Sequence, residues 1–294
     1  MIPIRDENPT ARSAVVTFLL IAGSIGVFVW MASLDREMNR WVTYTLGMVP
    51  AVVSGDVGFE PYFPWFPAVA SPVTALFLHA DYVHLGFNML FLWVFGNNVE
   101  DKLGHGRFLV FYLLAGLAAA AAHMATSPTS LVPMIGASGA ISGVLGAYLL
   151  MFPFARVRTL IPPLIFRTFP IPAWVFLGLW FALQSVNASI QAITPAGMTE
   201  GGVAWTAHAA GFVAGMVLLL VLRPRGVGLF MRVVPAQGKR TGARKPARKP
   251  APSAPASTAP APASIPAPTT IGRAARTGST ISSIIRPSRR IVSR

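Results

Sequence analysis

Three long runs of this 294-residue chain contain no Asp, Glu, Lys or Arg: residues 108–155, 168–199 and 201–222. An ordinary soluble domain is about one quarter charged, whereas this chain is 12% charged and 53% hydrophobic. A helix that crosses a bilayer needs roughly 20 apolar residues, so the three runs have room for about four spans. Residues 13–34 supply another, and residues 82–99 a shorter one that contains His84 and Asn88. The expected fold is an all-α polytopic membrane protein of six helices, at about 14–31, 82–99, 107–124, 138–152, 172–192 and 204–222. Pro128 and Pro133 separate the third helix from the fourth, and Pro153, Pro162, Pro163 and Pro170 punctuate the link between the fourth and fifth. The first apolar run, residues 14–32, exceeds the roughly 7–15 residues of a signal-peptide core and no small-residue cleavage site follows it. It reads as a retained span.

The net charge of +14 belongs to one part of the chain. Before Arg223 there are 9 basic and 10 acidic residues; from Arg223 onward there are 15 basic residues and no acid. This divides the chain into residues 1–13, a membrane domain at 14–223, and an Ala/Pro-rich basic tail at 224–294 that cannot form a core and is expected to be disordered. Among the loops, Arg5, Arg12, Lys102, Arg107, Arg156, Arg158 and Arg167 fall on the side of the tail, and only Arg36 and Arg40 oppose them. By the positive-inside rule both termini are cytoplasmic, and a bacterial inner membrane is the expected location. The tail would then lie against anionic lipid; nucleic acid is not an expected partner. The first loop, 33–78, carries Trp41, Tyr44, Tyr62, Phe63, Trp65 and Phe66, aromatics suited to the membrane interface, and is expected to be partly embedded and partly helical.

This topology brings the starts of the second, fourth and sixth helices to the same, outer side, and with them His84, Ser138 and His208. Gly139 and Gly143 on the fourth helix, and Gly211 and Gly215 on the sixth, are each four residues apart, a spacing that lets helix backbones approach closely in lipid. His208, Gly211 and Gly215 share one helical face, so close packing of the fourth and sixth helices would put His208 within reach of Ser138. A serine hydroxyl is a weak nucleophile until a neighbouring base takes its proton. No helix core contains an acid, and Asp81 at the outer end of the second helix reads as solvated, so a Ser138–His208 dyad is expected, without a third, acidic member. Acyl transfer also needs donors for an oxyanion. The helix N-terminus at Ser138 offers N–H groups, and His84 and Asn88, four apart, offer side chains; an interhelical hydrogen bond serves Asn88 equally well. His79, His84 and His208 can be weighed as metal ligands, but there is no His-Glu-x-x-His, no Cys and no carboxylate at that depth, so neither metal nor cofactor is expected. His105 and His123 are not assigned roles.

These residues resemble the rhomboid family of intramembrane serine proteases. The likeness rests on Gly136-Ala137-Ser138-Gly139, on Ala207-His208 with Gly211 and Gly215, on His79, His84 and Asn88, and on the segment Phe95-Gly96-Asn97-Asn98-Val99-Glu100-Asp101, all in the family's order. The resemblance implies a six-transmembrane-helix bundle with Ser138 as nucleophile and His208 as base. It also implies an oxyanion hole of His84, Asn88 and the Ser138 amide, and a capping loop at about 193–203. The implied substrates are single-pass membrane proteins. Two positions depart from the pattern: Ser142 stands where many members carry an aromatic residue packed on the histidine, and Arg40-Trp41 reverses a Trp-Arg pair of the first loop. The rival expectation is an inactive relative that binds membrane clients. A transporter is disfavoured because no charge lies within the helices.

Overall fold

The computed structural model of the chain describes residues 1–57, 66–161, 167–193 and 204–232. Strand β1 (Ile2–Asp6) is followed by helices α1 (Val15–Ala32), α2 (Arg36–Leu46), α3 (Pro50–Val53), α4 (Ser71–Thr74), α5 (Tyr82–Phe91) and α6 (Asn97–Leu103). Helices α7 (His105–Thr126) and α8 (Ser138–Met151), strands β2 (Arg156–Leu160) and β3 (Thr168–Pro172), and helices α9 (Ala173–Ile193) and α10 (Trp205–Leu222) complete it. One π turn, Leu92–Gly96, joins α5 to α6. Gly104, at φ +79°, then reverses the chain into α7, a left-handed conformation that side chains disfavour.

Each of the six expected helices has a counterpart. Among the described residues, four are long and apolar enough to cross a membrane: Val15–Ala32, His105–Thr126, Ala173–Gln191 and Trp205–Leu222. The helical stretch Tyr82–Leu103 meets that standard together with Ala68–Phe77, from which it is bent by 81°. Helix α8 is apolar but has only 14 residues, about 21 Å at 1.5 Å per residue. Its short length goes with its position. Every residue from Gly139 to Tyr148 is buried, and a helix apolar on all sides belongs in an interior. Around it, Phe18, Leu19 and Val29 of α1, Leu183 and Val186 of α9, and Val213, Val217 and Val221 of α10 are exposed, as the lipid-facing side of a membrane bundle requires. Phe91, Phe95, Tyr148 and Phe176 interlock by ring contacts between α5, the π turn, α8 and α9.

The first loop is partly helical, as expected: α2, capped by Asp35 through the Met38 N–H at 2.8 Å, is followed by α3, two 3₁₀ turns and α4. Tyr62, Phe63 and Trp65 lie outside the described residues, as do the tail from 233 and all but one residue of the expected cap. The chain does not leave the bundle at residue 224: the Phe230 and Met231 amides donate to the Leu150 and Met151 carbonyls.

The all-α reading omits one small sheet. β1 pairs antiparallel with β2, and β2 with β3, so the proline-punctuated link between α8 and α9 is a hairpin extended by the N-terminal strand. Pro170 and Pro172 are tolerated because β3 is an edge strand. The Asp6 carboxylate at the end of β1 accepts from the Tyr148 hydroxyl at 2.6 Å and the Asn98 amide at 2.8 Å. Burial pushes this carboxyl up to about 6, an effect the Tyr148 hydrogen bond opposes.

The segment Asn98-Val99-Glu100-Asp101 ties the N-terminal part to the bundle. Helix α1 has no side-chain cap of its own. Instead the buried Glu100 carboxylate accepts from the Val16 and Thr17 amides at 2.8 Å each and from the Thr17 hydroxyl at 2.6 Å, and it contacts His105 Nδ1 at 2.6 Å. Asp101 takes the Ala11 and Arg12 amides and the Lys102 ammonium. Removing the carboxylate would strand several buried donors, so Glu100→Ala is expected to destabilise the protein by on the order of 3 kcal/mol. A thermal melt in detergent measures this; an unchanged Tm would refute it.

Candidate active site

The approach of α8 to α10 sets the site. A Cβ on Gly211 would run into the Gly139 carbonyl, one on Gly215 into the Gly143 backbone, and one on Gly146 into the Phe212 carbonyl. Only hydrogens at these positions let the two backbones touch. At the end where both helices begin, His208 Nε2 stands 2.7 Å from Ser138 Oγ. The small-residue faces therefore bring together the two groups whose proximity the glycine spacing predicts.

The entry to α8 is equally constrained. Gly136 has φ +121°, in the left-handed region that favours glycine. Its amide donates to the Ala75 carbonyl at 2.8 Å. A Cβ there would lie 2.8 Å from Cε1 and Nε2 of His84, so the glycine makes room for the imidazole beside the start of α8. No side chain caps this N-terminus. The first N–H groups of a helix have no intrahelical acceptor, so the Ser138 amide, at the first position of α8, is a donor that the helix itself leaves free, with the positive end of the helix dipole beside it.

On α5, Asp81 is exposed and caps the helix by accepting from the Val83 and His84 amides at 2.8 Å. These bonds, that from His84 foremost, hold the Asp81 carboxyl below its usual range. The solvated Asp81 of the sequence reading is thus a helix cap and does not touch His208. Asn88 is buried, and one of its amide hydrogens goes to the His84 carbonyl at 2.9 Å within its own helix; the interhelical bond weighed for it is not among its contacts. The His79 ring is buried, meets the His84 ring edge-on at 5.2 Å and has Nδ1 3.2 Å from the Phe77 carbonyl. His84, Asn88, Ser138 and His208 all line one cavity of about 940 Å³. Among the described residues, no three His, Cys, Asp or Glu side chains gather as a metal site would require. His105 contacts Glu100 at the other end of the bundle, and His123 is buried in α7.

Three neighbours of His208, two of them aromatic, lie outside the motif residues. The Ser142 hydroxyl, in place of an aromatic ring, donates to the Ser138 carbonyl at 2.6 Å. Aromatic flanking comes from other helices: the Trp180 ring of α9 lies 6.3 Å from the His208 ring at 35°, and Trp205 of α10 stands edge-on at 6.1 Å. The third is Gln184 of α9, buried, with Oε1 2.9 Å from His208 Nδ1. The available signal was a Trp and a Gln four residues apart in an uncharged apolar run, a spacing that puts both on one helical face.

The Rhomboid domain profile matches residues 68–225, just over half of the chain. The rhomboid protease GluP of Bacillus subtilis is 38% identical over 117 residues, 40% of this chain and 22% of that protein. The putative rhomboid protease YdcA of the same organism is 39% identical over 140 residues, 48% of this chain and 63% of that protein. Rhomboid protein 1, mitochondrial, of Saccharomyces cerevisiae is 33% identical over 153 residues, 50% of this chain and 40% of that protein. The matched stretch thus spans less than two thirds of each of these relatives.

Proposed function

The chain belongs to the rhomboid family, and on that premise we propose that it is an intramembrane serine endopeptidase that hydrolyses peptide bonds in or near transmembrane segments of single-pass membrane proteins. The observation that carries the reading is the 2.7 Å contact between Ser138 Oγ and His208 Nε2 inside an apolar cavity at a helix N-terminus. The imidazole takes the hydroxyl proton as Oγ attacks the scissile carbonyl, and then returns it to the leaving amine. Water repeats the cycle on the acyl-enzyme. The oxyanion receives hydrogen bonds from the Ser138 amide, the His84 ring and the amide hydrogen of Asn88 not engaged with His84.

In this reading the bundle spans the membrane six times, with α8 as the short inner span and the Tyr82–Leu103 stretch as the second. Both termini are cytoplasmic, by the distribution of Lys and Arg among the loops. The Ser138 end then opens toward the outer face, and the basic tail that follows residue 232 lies against anionic lipid. A transmembrane helix satisfies its own carbonyls, so a substrate has to unwind locally, which favours helix-breaking residues near the cut and small residues at it.

A serine-directed fluorophosphonate tests the proposal. It is expected to label the detergent-solubilised full chain at one site, and Ser138→Ala to abolish labelling, with chelators without effect. Absence of labelling in a folded wild-type protein would sink the reading in favour of a client-binding relative. Labelling that survives Ser138→Ala would displace the nucleophile.

A further inference from the structure

We infer that Gln184 is a positioning residue that fixes the tautomer of His208; the inference rests on the dyad reading above. A neutral imidazole has one N–H and one lone pair, and the partner of one nitrogen decides the state of the other. The Gln184 carbonyl oxygen only accepts. At 2.9 Å from Nδ1 it holds the ring proton there, which leaves the Nε2 lone pair facing Ser138 Oγ at 2.7 Å. The other tautomer would direct an N–H at the serine oxygen, and the hydroxyl proton would have no base.

The neighbourhood gives Gln184 this task and no competing one. It is the buried polar side chain among the described residues of α9, whereas Asn187 and Ser189 are bonded to carbonyls of their own helix and lie nearer the surface. Trp180, one turn earlier on the same face, flanks the His208 ring at 6.3 Å and stacks on Phe212 of α10 at 5.9 Å. One face of α9 therefore fixes both the plane of the imidazole and the position of its proton. A carboxylate would orient the ring as well, but an uncompensated charge at membrane depth is costly. An amide does the same work without a charge, which accounts for a helix core free of acids in a site that nonetheless holds its base on two sides. It also accounts for Ser142: an imidazole already gripped by Trp180 and Gln184 does not need a ring at that position.

The test reads tautomer and turnover separately. In the full chain with 15N-labelled histidine, and His208 assigned by its loss in His208→Ala, the wild type is expected to show the Nδ1–H form of the neutral ring. Gln184→Met, close in volume and unable to accept this bond, is expected to shift His208 toward Nε2–H. It should also lower kcat by on the order of 10²-fold, at the low end of what a general base contributes, with KM within about twofold. Gln184→Glu, which restores an acceptor, is expected to recover the tautomer and most of kcat. An Nε2–H ring in the wild type, or a tautomer and kcat unchanged in Gln184→Met, would overturn the inference; the wild-type tautomer is read without any change at Gln184. A tautomer that follows Gln184 in a protein that takes up no fluorophosphonate would support the positioning role and sink the protease reading alone.

Discussion

Ser138→Ala is expected to leave a folded protein that binds a transmembrane substrate and cuts it at least about 10³-fold more slowly, a loss of about 4 kcal/mol of transition-state stabilisation. The expectation follows from the contacts of the hydroxyl. Its oxygen meets the one imidazole nitrogen placed to take its proton, and no other serine, threonine or lysine approaches His208 among the described hydrogen bonds. The backbone carries what structure Ser138 provides, so the methyl of alanine fits without strain and substrate affinity persists. His208→Ala is expected to lose about as much, and the double variant little more, because two groups that act as one unit give non-additive losses. A substrate-cleavage assay in micelles or proteoliposomes, read alongside substrate pull-down, checks all three. Near-wild-type turnover in either single variant would remove that residue from the mechanism, and losses that simply add would show that the two do not act together.

The second large effect comes from a residue far from the chemistry. Gly215→Leu is expected to lower both stability and turnover, because even the first carbon of the new side chain meets the backbone of Gly143. Backbone cannot rotate away as a side-chain tip can, so α10 must shift as a body. Overpacking of this kind costs about 1–3 kcal/mol. His208 lies seven residues, roughly 10 Å, along the same helix, and a displacement of about 1 Å there suffices for a 10²-fold loss of rate. Val217→Leu, on the exposed face of the same helix, is the control and is expected to change neither. Thermal melts and initial rates on the pair decide the matter: if Gly215→Leu melts and cleaves like Val217→Leu, the helices do not need this contact.

What is legible in the sequence is periodic and local. Charge-free runs and prolines bound the six helices to within a few residues, because the cost of charge in lipid leaves few alternatives. The i, i+3, i+7 set of His208, Gly211 and Gly215 carries information about a partner helix, since small residues on one face imply a close neighbour. What stayed hidden depends on contacts between segments with no local mark. β1 and β2 are about 150 residues apart in the chain, and the prolines of β3 read as breaks because edge position is a property of the assembled sheet. Glu100 caps a helix that begins more than 80 residues before it. Gln184 and Trp180 reach His208 only because α9 lies against α10, and an amide in an apolar run has no pattern that names its partner. Ser142 shows the converse: one position departs from the expected motif while a different helix supplies the aromatic contact.

The enclosure of α8 divides the chain by what it can tolerate. The outer faces of α1, α9 and α10 meet solvent lipid, where one aliphatic side chain replaces another at little cost, and their lengths can follow bilayers of different thickness. Helix α8 is buried from Gly139 to Tyr148, so lipid composition and thickness bear on that stretch only through the helices around it. Sequence drift and adaptation to a new membrane can proceed in the outer helices while the reactive geometry stays fixed inside them. The counterpart is that α8 has almost no neutral neighbours in sequence space: a single added methylene at Gly139, Gly143 or Gly146 is felt at once by the helices that surround it.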